Sequence, residues 1–124
     1  MASVTIVWNA GGDYRLTAEQ GAYYRLEGID TAAYITIDLP TEGMETTAIL
    51  ERLFEETNLY QGEWWDAMQA DMPADRHHTA LSVGDRVIID GRSHFCAPMG
   101  WETLIERHRR HKARAARWAE AGLL

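Results

Sequence analysis

The chain predicts an α+β fold of one domain over residues 1–124, and three observations carry that reading. β-rich runs crowd the first forty residues, a helical period takes over from residue 46, and a hairpin signal near residue 90 precedes a long terminal helix. The expected architecture is an N-terminal antiparallel sheet, two central helices, a C-terminal β-hairpin of the kind seen in small SH3-like barrels, and a closing C-terminal helix.

The elements follow in order. Residues 4–8 (Val-Thr-Ile-Val-Trp) read as a strand, closed by a turn at residues 9–13 where two glycines meet Asn and Asp. Residues 14–26 are ambiguous: Thr17-Ala18-Glu19-Gln20 could open a short helix, while Ala22-Tyr23-Tyr24-Arg25-Leu26 prefers a strand. Residues 34–39 alternate apolar and polar and stop at Pro40, the mark of a half-buried strand. Thr46-Thr47 offers an N-cap for a helix over residues 48–56. There Ile49, Leu50, Leu53 and Phe54 share an apolar face, and Glu51, Arg52, Glu55 and Glu56 are left to water. A second, short helix is expected over residues 63–70, ending before Pro73.

Residues 83–89 and 92–96 flank Asp90-Gly91, a pair suited to a two-residue hairpin because both positions must take positive φ. The last helix runs from about Trp101 or Glu102 to Glu120, with Gly122 as its stop. Its spacing separates an apolar side (Trp101, Leu104, Ile105, His108, Ala115, Trp118, Ala119) from a stripe of Arg107, Arg110, Arg114 and Arg117.

Composition limits what the chain does. Its hydrophobic share of 46% and charged share of 25% are those of a globular domain. No apolar run reaches the roughly 18 residues that span a bilayer. The N-terminus lacks a basic and long apolar leader, so neither a membrane span nor a signal peptide is expected. The single Cys96 permits no internal disulfide and fits a reducing compartment, so the expected setting is cytoplasmic. The net charge of −7 conceals a polarity. Residues 1–100 hold sixteen acidic against six basic side chains, whereas residues 101–124 hold three against six. An acidic body does not coat nucleic acid with its whole surface, since phosphate binding needs a basic footprint.

One segment resembles a known family. His78-Thr79-Ala80-Leu81-Ser82-Val83-Gly84-Asp85-Arg86-Val87, then Asp90-Gly91, His94-Phe95-Cys96 and Gly100-Trp101-Glu102-Thr103-Leu104, is similar to the YodL-like domains of bacterial phages, plasmids and conjugative elements. The stretch Leu50-Glu51-Arg52-Leu53-Phe54-Glu55-Glu56-Thr57-Asn58 also resembles a helix of that family, so the likeness covers residues 47–105. Arg86 stands where the family usually has an aliphatic residue, Ala80 where it often has Ser, and Trp101 where Phe is commoner. The resemblance implies a mobile-element setting, in the cytoplasm of a bacterial host, and carries no catalytic residue.

Each chemistry-bearing residue also has a plain structural role open to it. His94 and Cys96 alternate on one strand face, and His108 and His111 are i, i+3 on a helix. Four such groups could complete a zinc site, yet no recognised ligand spacing frames them. Cys96 as a nucleophile lacks an adjacent base and an orienting third group. Asp71, Asp75, His77 and His78 could gather in one loop, where solvation is the default. No glycine-rich phosphate cradle follows Gly11-Gly12. The expectation is therefore no catalytic residue, no metal and no cofactor.

What remains is electrostatic. Glu42, Glu45, Glu51, Glu55, Glu56, Glu63 and Asp66 form an acidic surface suited to a host protein, with carboxylates standing in for phosphates as an anti-defence inhibitor would use them. The alternative is a nucleic-acid-binding protein that uses Arg107, Arg110, Arg114 and Arg117.

Overall fold

The computed structural model describes residues 1–8, 33–73 and 79–122. The turn expected at residues 9–13, the ambiguous stretch 14–26, and the loop residues Asp75, His77 and His78 lie outside them. The described elements are β1 (Ala2–Trp8), β2 (Ala33–Leu39), α1 (Thr46–Leu59), α2 (Glu63–Met68), β3 (Arg86–Ile89), β4 (Arg92–Cys96), β5 (Trp101–Thr103) and α3 (Leu104–Glu120). A 3-10 turn, Gln69–Asp71, follows α2. The α+β class is thus observed.

The five strands among the described residues join one antiparallel sheet in the order β2-β1-β3-β4-β5. The C-terminal hairpin is therefore an extension of the N-terminal sheet, with β2 and β5 at its two ends. Residues paired across antiparallel strands share a face. Ile6 pairs with both Ile35 and Val87, and Val4 with both Ile37 and Ile89. Those six side chains meet Ile49, Leu50 and Leu53 of α1, Trp64 and Met68 of α2, and Leu81 in one buried cluster. Burial of each large apolar side chain there contributes about 1.5–3 kcal/mol.

The turn expectation holds in detail. Asp90 and Gly91 both have positive φ, +49° and +75°, joining Ile89 to Arg92 as a type I′ turn requires. The Ser82-Val83-Gly84-Asp85 segment is a second device. Asp85 N–H donates to the Ser82 carbonyl (2.9 Å), and Gly84, at the third position, has φ +97°. Gly84 N–H then donates to the Cys96 carbonyl, while Cys96 N–H donates to the carbonyl of Asp85. Two residues thus oppose one, which is a G1 bulge following a turn with glycine at its left-handed position. The Asp85 carboxylate locks the turn by accepting from Ser82 N–H (2.8 Å). These residues aim the chain into β3.

Thr79 ties this segment to the rest. Its hydroxyl donates to the Thr57 carbonyl (2.8 Å) and accepts from Trp65 Nε1 (3.1 Å), and its carbonyl accepts from Trp8 Nε1 (2.9 Å). One buried residue so joins β1, α1 and α2.

Two helix starts differ from expectation. Glu45, not Thr46 or Thr47, is the N-cap of α1, and it makes no side-chain cap hydrogen bond. Residues 101–103 form a short strand, β5, so α3 begins only at Leu104. Thr103 caps it in a capping box: its hydroxyl accepts from Glu106 N–H, and the Glu106 carboxylate accepts from Thr103 N–H. At the far end Gly122 takes φ +74° and its N–H reaches the Ala119 carbonyl, the stop the sequence suggests. No helix among the described residues is long and apolar enough to cross a membrane.

Candidate functional site: two charged helical faces on opposite sides of the sheet

The α1 and α2 helices cover one face of the sheet. The other face of β3, β4 and β5 carries Arg86, Phe95 and Glu102, which register with one another, and α3 lies over them. The acidic and basic helices therefore stand on opposite sides of the sheet.

The acidic side keeps most of its expected surface. Glu45, Glu51, Glu55, Glu63 and Asp66 are exposed. Glu42 is exposed as well and is paired with the amino group of Met1, which holds its carboxyl below the usual carboxylate range. Glu56 departs from the expectation. One of its oxygens accepts from the backbone N–H groups of Trp64 (2.9 Å) and Trp65 (3.2 Å), and the other accepts from Arg52 Nε (2.6 Å). It is the N-terminal cap of α2, supplied from α1, because Gly62 at the cap position has no side chain to do it. Arg52 is occupied too: its guanidinium lies 4.1 Å from the centroid of the buried Trp64 ring.

Phe54 also differs from its expected place in the apolar stripe. The buried positions of α1 are Ile49, Leu50, Leu53 and Thr57. Phe54 is 41% exposed and meets the half-buried Trp101 edge to face, with ring centroids 6.4 Å apart. The two rings border a groove of about 560 Å³ whose wall also includes Glu51, Val83 and Pro98. The sequence signal was the helical period itself: position 57 continues the stripe from 50 and 53, which rotates 54 to its edge.

The basic helix is turned round relative to the sequence reading. Arg107 and His111 are fully buried, whereas Leu104 and Ile105, assigned to the apolar side, are 45% and 63% exposed, and His108 is exposed. The physical reason lies in the sheet face beneath. Glu102 is buried, and a buried carboxylate needs a cation. Arg110 supplies it through Nε (2.9 Å) and Nη2 (2.6 Å). The Arg107 guanidinium lies 4.8 Å from the Phe95 centroid and that of Arg86 5.7 Å from it, while Arg86 Nη1 donates to Ser93 Oγ (3.2 Å). Burial first, and the neighbouring Arg107 second, lower the pKa of Arg86. Arg114 is half-buried, 4.6 Å from the Trp118 ring. Of the expected stripe only Arg117 is exposed; among the described residues of α3, Arg109 and Lys112 are the other exposed Lys or Arg side chains.

The histidines and Cys96 do not converge. His94 and Cys96 lie on the α1 side of the sheet and His111 beneath α3 on the other. Among the described residues no group of three or more His, Cys, Asp or Glu is placed to hold a metal ion. His94 borders a second cavity, of about 580 Å³, with Arg92, Asp90 and Thr47, whose mixed charges select no ligand sign.

His94 does give the fold a pH dependence. Burial, and then the positive charge of Arg92, hold its imidazole below the ordinary value of 6.5. As pH falls through 6.5 the unfolded chain binds this proton before the folded one does. Stability is therefore lost progressively below that point, until the pH has passed the lowered value of the folded state. His94→Gln is expected to flatten this part of the profile. Urea denaturation at about pH 7.5 and about pH 5.5 checks it, and an unchanged difference between the two pH values would refute the assignment.

No family model matches the chain, no curated protein matches it, and no solved structure matches it.

Proposed function

We propose that the chain is a non-enzymatic accessory protein of a phage or other mobile element that binds a host macromolecule through the acidic outer face of α1 and α2. One observation carries the reading. Glu51, Glu55, Glu63 and Asp66 are exposed along two adjacent helices, and the only Lys or Arg of those helices, Arg52, is turned onto Glu56 and Trp64 and approaches Glu63 only to 4.0 Å. Such a face projects a negative field that steers a basic surface onto it. The partner is a host protein with a basic, nucleic-acid-handling channel, and the carboxylates take the place of phosphates there, as in an anti-defence inhibitor. The mobile-element setting and the bacterial cytoplasm rest on the resemblance of residues 47–105 to YodL-like domains.

The test is affinity isolation from host lysate with the wild type and with a variant carrying Glu51→Gln, Glu55→Gln, Glu63→Gln and Asp66→Asn. A partner is expected that leaves the wild type as salt rises and binds the variant about tenfold less. Equal recovery by both proteins would overturn the reading.

A second reading has its own observation: Arg109, Lys112 and Arg117 are exposed on α3 and could track phosphates without reading bases. Reversing those three charges, rather than Arg107 and Arg110, is the proper test with duplex and single-stranded probes. Unchanged retention of both probes would end it.

A further inference from the structure

We infer that the groove between α1 and the β4–β5 connection is the anchor point of the acidic face, and that it takes an arginine or lysine side chain from a basic peptide segment of the partner. The inference rests on the proposed acidic-face reading and names its partner chemistry.

Three features select that occupant. The groove offers ring surface, since Phe54 and Trp101 border it edge to face at 6.4 Å with Phe54 still 41% exposed. A guanidinium or ammonium is attracted to the face of such a ring. Val83 and Pro98 add apolar wall, suited to the methylene stem of a long cationic side chain. Charge then decides among occupants. Glu51 is in the wall, Glu55 lies one turn further along α1, and among the described residues no Lys, Arg or His lines the groove. A carboxylate entering would meet like charge, and a purely apolar side chain would strip water from Glu51 without pairing it. A cation satisfies Glu51 and the rings together. The volume of about 560 Å³ has room for one such side chain and the backbone beside it. Glu51 belongs both to the groove and to the outer face, so a basic segment can run from one to the other.

The probe is a blocked nonapeptide of alternating arginine and serine, titrated into ¹⁵N-labelled protein at low salt. Its control is the same peptide with citrulline, a neutral isostere, in place of arginine. The arginine peptide is expected to move the Val83, Gly100 and Trp101 amides and the Trp101 indole in a saturable way. Glu51→Gln and Phe54→Ala are each expected to weaken it about fivefold, and citrulline by more. Glu51→Gln changes an exposed side chain, so it keeps the test informative should Phe54→Ala disturb α1.

Shifts confined to the surroundings of Glu63 and Asp66 would overturn the groove and leave the acidic-face reading standing. Equal binding of the citrulline peptide would overturn the choice of a cation. Groove binding indifferent to Glu63→Gln and Asp66→Asn would support the groove and count against the wider face. No saturable shift at any residue would overturn both.

Discussion

Arg107→Ala is expected to destabilise the protein by about 3 kcal/mol, the cost of emptying a filled core position. A surface arginine changed to alanine costs about 0.5 kcal/mol or less. Arg107 belongs to the first kind although composition suggests the second. Its side chain is fully buried, and its guanidinium lies 4.8 Å from the Phe95 ring centroid under α3. Truncation removes the guanidinium that lies over the ring together with its buried stem, and leaves a cavity between helix and sheet. Arg117→Ala on the exposed side of the same helix is the matched control. Arg107→Met, which keeps a long stem and drops the charge, is expected to fall between the two. Urea unfolding of the three variants decides the matter, and equal midpoints for Arg107→Ala and Arg117→Ala would refute the buried placement.

Gly62→Ala is the second large effect, about 2–4 kcal/mol from two sources. Gly62 has φ +122° and ψ 164°, a region essentially reserved for glycine. A Cβ there would also overlap the Glu56 carboxylate. That carboxylate can swing away, because it ends a flexible side chain, but it then leaves the N–H groups of Trp64 and Trp65 and the Arg52 guanidinium behind. The cost therefore combines backbone strain with loss of the α2 cap.

A double-mutant cycle separates them. In a Glu56→Ala background the cap is already gone, so Gly62→Ala should cost only the strain, and the two changes should fall short of additivity by about 1 kcal/mol. Thermal or urea melts of the four proteins measure it. Strict additivity would mean that Glu56 and Gly62 act independently and would overturn the capping role.

Both effects mark where local pattern stops being informative. The five strands came from signals within a few residues of one another in all but one case. Alternation located β2, and Asp90-Gly91 dictated a two-residue hairpin because few residue pairs accept positive φ twice. Strand β5 was missed because three residues of Trp-Glu-Thr carry no period, and only the neighbouring β4 makes them a strand. The first helix was legible from its stripe, apart from Phe54 at the stripe's edge. Of the acidic site, the exposed carboxylates were legible from composition. Glu56 was not, since one of its oxygens is claimed by backbone groups eight and nine residues on.

The sequence by itself determined the α+β class, the Asp90-Gly91 turn, and the separation of an acidic body from a basic terminal helix. Each follows from backbone preference or charge, and such properties are carried by a residue wherever it ends up. Tertiary structure alone decided which way α3 faces, and with it which arginines meet water. Hydrophobic periodicity assumes an apolar surface beneath the helix, and here that surface is Arg86, Phe95 and the buried Glu102. A buried carboxylate calls for a cation more strongly than Leu104 and Ile105 call for cover, so Arg110 turns inward, Arg107 is buried over the Phe95 ring one turn earlier, and the two apolar side chains turn out.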